Sequence, residues 1–262
     1  MRWTFLILTY LAEPPARQLN GPYPDCVETT ARNMACMTKA KSKFALLLIS
    51  LFLSFFKNSY ANDIEEKFIN AGLVDVKTID ATIQVDLVNS DPKKNYFREN
   101  YYDGLDKAYL RKEVAIKLLR AQALLKAKHS DYSLLILDAA RPRSVSRKMY
   151  DKMKGTNFEK FVANTSKGSM HNYGIAVDIT IVDGSGEEID MGFNPFRRST
   201  LELYWTYAKK KIGLELTSEQ KNNRKLLADV MIKAGFIPLS FEWWHFNGMR
   251  KVEARNKYKI IE

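Results

Sequence analysis

A chain of 262 residues can bury one sizeable core or at most two small ones, and a composition of 46% hydrophobic and 27% charged residues excludes the fibrous and disordered classes. The formal charge is +11; seven of the 41 Lys/Arg and three of the 30 Asp/Glu fall in residues 1–61, so the remainder stays basic. Such a balance favours anionic surroundings, among them an acidic wall polymer, but no Arg/Gly-rich tract or aromatic-interleaved basic motif is present, and nucleic acid is not an expected partner.

From Met37, Lys39, Lys41 and Lys43 precede an apolar run from Phe44 to Phe56, and Ser59-Tyr60-Ala61 follows with small residues. This is the three-part pattern of a secretory signal peptide. The run is shorter than the roughly 20 residues a bilayer span needs, so no stable membrane anchor is expected; a retained anchor is the competing reading. The expected organisation is therefore 1–36 as an extension ahead of a true start at Met37, 37–61 as the signal peptide, and 62–262 as one domain, exported to the periplasm or secreted by a bacterium. Both cysteines, Cys26 and Cys36, lie in the first stretch, which leaves neither a disulfide framework nor a thiolate metal site in 62–262.

Along that domain, Asp63 to Ala71, closed by Gly72, has a helical pattern, and Thr82–Val88 alternates like a half-buried strand. Lys107 to Lys128 is the longest helical stretch, with Val114, Leu118, Ala121 and Leu125 on one face and Ser130-Asp131 at its end. Leu134–Asp138 is a buried-strand candidate stopped at Arg141-Pro142. Helices are expected over Ser144–Tyr150 and Asn157–Ala163, and a strand over Ile175–Val182 followed by a turn at Ser185-Gly186. Two more helices open at capping-box spacings, Ser199 with Glu202 and Thr217 with Gln220, the second ending at Gly235. Phe236 to Phe246 is strand-like. No repeat or linker divides the region, and the separated helices and strands indicate an α+β domain.

The chain has only three histidines. His171 lies seven residues before Asp178, and imidazole and carboxylate are both good zinc ligands. Gly174 permits a sharp turn between them, and Asp178 points away from its strand neighbours Val177 and Ile179. A carboxylate on so apolar a strand needs a partner; a metal is one, an arginine or a turn another. His245 sits in Phe241-Glu242-Trp243-Trp244-His245-Phe246, the most aromatic six residues of the chain. Glu242 reaches the same site as His245 only if the backbone there is helical or bulged, since a flat strand points the two apart. A core-packed aromatic cluster with a rim glutamate is the alternative. His129, at a helix end among polar residues, reads as a dipole-complementing cap. Arg141, held by Pro142 after the strand, is a permanent fork-shaped cation that can grip a carboxylate or a developing oxyanion, or simply pair with Asp138.

Together, Ser169–Asp178 (SxHxxGxAxD), Glu242–Phe246 (EWWHF) and Asp138–Pro142 (DAxRP) resemble the zinc D-alanyl-D-alanine dipeptidases of the vancomycin-resistance type, relatives of the D,D-carboxypeptidases. The resemblance covers most of residues 70–250, and the doubled tryptophan favours the dipeptidase branch. It implies one Zn2+ held by His171, Asp178 and His245, with Glu242 as general base, Arg141 as transition-state stabiliser and Ser169 beside the substrate. The expected fold is a single α+β domain whose central, mainly antiparallel sheet is flanked by helices, with zinc in a cleft on the sheet. Two imidazoles and a carboxylate leave a fourth position open, as in catalytic zinc sites, and the expected substrate is D-Ala-D-Ala or a similar wall-derived dipeptide, with peptidoglycan association. A D,D- or L,D-carboxypeptidase trimming stem peptides is the alternative enzyme. A non-catalytic zinc-stabilised wall-binding module is the second alternative, against which Glu242 argues. The pattern departs where these dipeptidases continue toward a Phe-Asp pair: here Phe196 is followed by Arg197, which loosens the expected preference for D-Ala-D-Ala. A resistance enzyme must destroy a cytosolic precursor, so a signal peptide points to turnover or salvage instead.

Overall fold

Residues 63–70 form helix α1, which turns Ile64 and Phe68, one helical turn apart, into the core. Gly72 ends it at φ 76°, the left-handed conformation that glycine adopts without a Cβ penalty. The computed structural model describes residues 63–156, 168–192, 216–240 and 242–262. The signal-peptide segment, the helices expected at Asn157 and Ser199, and the Phe196-Arg197 departure lie outside them.

Strand β1 (Leu73–Asp75) pairs antiparallel with β3 (Tyr109–Arg111). This pairing explains why helix α2 spans Lys112–Lys126 and not the expected Lys107–Lys128. Tyr109, Leu110 and Arg111 are all buried, so they have no polar face to turn outward as the start of an amphipathic helix. The stripe of Val114, Leu118, Ala121 and Leu125 is fully buried as expected. Strand β2 covers only Gln84–Val85 of the expected Thr82–Val88, because the chain turns at Val88–Ser90 into a 3-10 helix that buries Asn89 for use at Asp138.

Strand β4 runs Ser133–Asp138, helix α3 Arg143–Met153 and strand β5 Ala176–Val182. Helix α4 (Ser218–Lys233) opens on the expected capping box, Gln220 N–H donating to Thr217 Oγ1 at 3.1 Å and Thr217 N–H to Gln220 Oε1 at 3.0 Å. The expected strand from Phe236 to Phe246 is instead a hairpin of β6 (Ile237–Leu239) and β7 (Glu242–Asn247). A short helix α5 (Lys251–Lys257) follows.

The five-stranded sheet has the order β2-β4-β5-β7-β6; only the β2–β4 pair is parallel. With five α-helices among the described residues, this is an α+β domain with a mainly antiparallel sheet. Strand alternation sorts β5 between two faces. Val177, Ile179 and Ile181 join the main core with Leu118, Leu125, Leu227 and Val230 of α2 and α4. Asp178, Thr180 and Val182 face the other way, where Val182 meets Val88, Leu135 and Leu137 in a smaller cluster. The helix-packed face carries the apolar burial that holds the sheet, and the opposite face is left for polar work.

Candidate metal centre

Three segments converge on that opposite face. His171 lies in a 3-10 helix, Met170–Tyr173, ended by Gly174 at φ 69°. A Cβ at Gly174 would stand 2.8 Å from Leu73 Cδ2, and its carbonyl accepts from Arg111 N–H at 2.8 Å, so the turn into β5 suits glycine alone. Asp178 of β5 is the direct register partner of His245 of β7. Antiparallel partners share a face, which sets the two side chains side by side.

The distances define a small triangle. His245 Nδ1 stands 3.0 Å from Asp178 Oδ1 and 3.2 Å from His171 Nε2, and His171 Nε2 stands 3.4 Å from Asp178 Oδ2. A tetrahedral ion with ligand bonds of about 2.0–2.1 Å has ligand–ligand edges of roughly 3.3–3.4 Å, so the donor set fits a single metal ion with little movement. His171, Asp178 and His245 are 4%, 3% and 7% exposed, and among the described residues they form the group of His, Cys and acidic side chains suited to a metal. The backs of both rings are anchored. His171 Nδ1 donates to Ala139 O at 2.7 Å, and His245 Nε2 lies 3.2 Å from Asn247 Oδ1.

The electrostatics agree. Burial disfavours the charged form of Asp178, but the charges and hydrogen bonds of His171 and His245 outweigh it and hold the carboxyl well below the usual carboxylate range. Burial pulls the His245 imidazolium down, yet its hydrogen bond to Asp178 and the charges of Asp178 and Glu242 leave it raised above the ordinary imidazole value. Negative charge buried between two imidazoles draws in positive charge, whether protons or a cation.

Glu242 reaches this site through a register shift. Along the β6–β7 hairpin, Ile237 pairs with Asn247 and Pro238 with Phe246, but Leu239 pairs with Glu242. The irregularity removes the flat-strand geometry that would send Glu242 and His245 apart, and Glu242 Oε2 lies 4.0 Å from His245 Nδ1. Its side chain is 42% exposed, so it borders the triangle from the solvent side. Trp243 and Trp244 are half-buried and meet edge to face at 5.7 Å.

Arg141 pairs with Asp138, its structural reading. Nε donates to Asp138 Oδ2 at 3.0 Å and Nη2 donates to the same oxygen. Asp138 is fully buried and also accepts from Tyr102 O–H at 2.7 Å, Asn89 Nδ2 at 3.1 Å and Ala139 N–H at 2.9 Å. A bulge in β4 between Ile136 and Asp138 places Asp138 opposite Asp178. Burial lowers the guanidinium, but the charges of Asp138, Tyr102 and Asp178 raise it further, so Arg141 lies within electrostatic reach of the triangle. Its backbone N–H donates to His171 O at 3.1 Å. Ser169 caps the 3-10 helix, its backbone N–H donating to Asn172 Oδ1 at 2.7 Å and its hydroxyl buried. His129 stacks on Tyr132 at 4.6 Å and takes no part in the triangle.

Sequence reasoning passed over Asn89, Tyr102, Asn172 and Asn247. Asn172 is fully buried and donates to Arg141 O at 2.8 Å and Ser146 Oγ at 2.9 Å, tying the His171 turn to the Arg141 loop. For Asn247 a signal existed: it lies two residues beyond His245 on a strand, hence on the same face.

The sequence matches the family model for D-Ala-D-Ala dipeptidases over residues 69–261, a span that contains every residue just placed around the triangle. Similar proteins include D-alanyl-D-alanine dipeptidases of Escherichia coli K12 (28% identical, covering 48% of this chain and 60% of that protein), Synechocystis (27%, 56% and 71%) and Enterococcus faecalis (28%, 52% and 70%). The solved LdcB LD-carboxypeptidase, whose structure concerns peptidoglycan recognition, is 21% identical with a TM-score of 0.34 over 56% of this chain and 63% of that one, a likeness too weak to bear on the argument. On the family match over most of its length, the chain belongs to the D-Ala-D-Ala dipeptidase family.

Proposed function

We propose that the protein is an exported zinc dipeptidase that hydrolyses D-Ala-D-Ala or similar wall-derived dipeptides. The observation that carries this reading is the triangle of His171 Nε2, Asp178 and His245 Nδ1, with edges of 3.0–3.4 Å and Glu242 beside it at 4.0 Å. Two nitrogens and one carboxylate, with no thiolate, suit zinc in a catalytic arrangement with one position open. Bound there, zinc supplies Lewis acidity that brings the pKa of its water toward about 7 and polarises the peptide carbonyl.

The protein's own residues do the rest. Glu242, reachable from solvent, takes the proton of the attacking water and returns it to the leaving amine. Arg141 commits two of its five N–H donors to Asp138 and offers others to the oxygen on which charge develops. The Ser169 hydroxyl is a hydrogen-bonding group for the substrate. The basic surface favours association with anionic wall polymer, and the segment from Met37 to Ala61 directs export. Among the described residues no helix is long and apolar enough to cross a membrane.

The test is Glu242→Ala. Metal analysis should find one zinc per chain in both wild type and variant, while hydrolysis of D-Ala-D-Ala falls by about 10²–10⁴-fold. Full turnover in the variant or in chelator-treated enzyme refutes the proposal. Turnover of D-Ala-D-Ala, L-Ala-D-Ala and a wall pentapeptide by one preparation identifies the substrate class, and the N-terminus and cell fraction of the mature protein test export.

A further inference from the structure

The two imidazoles turn opposite nitrogens toward the triangle. His171 donates Nδ1–H to a backbone carbonyl, that of Ala139, which can only accept, so the neutral ring turns its Nε2 lone pair to the triangle. His245 does the reverse, facing the triangle with Nδ1 and Asn247 with Nε2. Asn247 is 3% exposed and lies on the face of β7 that His245 occupies. Resting on the zinc site proposed above, we infer that Asn247 is a positioning residue: its side-chain oxygen accepts Nε2–H of His245 and holds that ring in the tautomer whose Nδ1 binds the metal.

A neutral imidazole carries a single proton. On Nδ1 it would sit between Asp178 Oδ1 and His171 Nε2, both acceptors, and would occupy the lone pair a metal needs. On Nε2 it needs an acceptor, because a buried N–H without one is costly. Asn247 Oδ1, at 3.2 Å, is that acceptor. The amide turned the other way would present a donor to Nε2 and force the proton onto Nδ1, against the metal. The side-chain carbonyl thus does for His245 what the Ala139 carbonyl does for His171.

Zinc affinity of wild type, Asn247→Leu and Asn247→Asp, measured by competition with a chromophoric chelator above neutral pH, tests this. Asn247→Leu keeps the volume without the acceptor and should bind zinc about 10–100-fold more weakly, while Asn247→Asp, which restores an acceptor, should bind at least as tightly as wild type. A long-range 1H–15N spectrum of the zinc-loaded wild type, which needs no variant to fold, should show His245 bound through Nδ1 with its proton on Nε2. Coordination through Nε2, or an Asn247→Leu affinity within about two-fold of wild type, overturns the inference while leaving the zinc site standing. A wild type that binds no zinc removes both.

Discussion

Replacing Asp138 with asparagine should both destabilise the protein and disarm Arg141. Asp138 Oδ1 accepts from Tyr102 O–H and Ala139 N–H, and Oδ2 accepts from Asn89 Nδ2 and from two nitrogens of Arg141. An amide can keep the oxygen on the first pair, but its nitrogen then meets three donors at the position of Oδ2. The guanidinium, with a side chain 13% exposed, loses its counter-charge. Breaking a buried ion pair from one side costs about 3–5 kcal/mol, a large part of the roughly 5–15 kcal/mol that holds a typical domain. At about 2–4 °C per kcal/mol for a domain of this size, the melting temperature should fall by roughly 6–20 °C. Turnover should fall by up to about 10²–10³-fold, the loss expected when one oxyanion donor is misdirected. Urea unfolding and dipeptide hydrolysis measure the two effects. A double-mutant cycle with Arg141→Met should return a coupling of about 0.5–3 kcal/mol. Additive single effects, or a stable and fully active Asp138→Asn enzyme, would refute the role assigned to this network.

Three other substitutions probe the scaffold around the site. Gly174→Ala combines a left-handed φ of 69° with a Cβ 2.8 Å from Leu73 Cδ2; a loss of about 2–4 kcal/mol in thermal unfolding is expected, with weaker zinc binding as the His171 turn shifts, and an unchanged melting temperature contradicts it. Arg111 donates from Nε to Tyr173 O at 3.0 Å and also to Ala71 O, and lies 4.0 Å over the Tyr258 ring; Arg111→Met should cost about 3 kcal/mol or more in urea unfolding through its lost charged hydrogen bonds, and a loss below about 1 kcal/mol sinks that account. At Glu113 burial raises the carboxyl, but Lys257 and Tyr258 outweigh it and leave the pKa lowered. A lowered acid binds fewer protons when folded than unfolded, so its stabilisation is present above the ordinary value of about 4.3 and fades as pH falls through the folded value; Glu113→Gln should flatten that part of the acid limb, and identical limbs would exclude the contribution.

Much of the fold was legible because its helices are amphipathic and locally signalled. The α2 stripe, the Thr217–Gln220 capping box and the Gly72 stop are local patterns, and each stands as read. The misreadings share a cause in non-local pairing. Tyr109–Arg111 looks like the first turn of α2 until β1 claims it as a strand, and Phe236–Phe246 reads as one strand because both arms of its hairpin are apolar enough to continue. Which segment lies opposite another is a property of two stretches at once, and propensity within either is overridden by it.

The site shows the same division more sharply. His171, Asp178 and His245 could be picked out because chemistry is carried by residue type, and three histidines in a whole chain leave few combinations. What brings their neighbours into place is a miscount between strands. The regular β5–β7 pair sets Asp178 against His245, while the bulge in β4 brings Asp138 opposite Asp178, and the shift in the β6–β7 hairpin frees Glu242 from the alternation that would turn it away. A bulge is an extra residue on one strand relative to its partner, so no reading of either strand alone contains it. The flat-strand objection to Glu242 was sound for the segment taken alone. It fails in the folded chain because the two irregularities flank the regular pair, giving it fixed geometry while the residues around it are re-aimed toward one point.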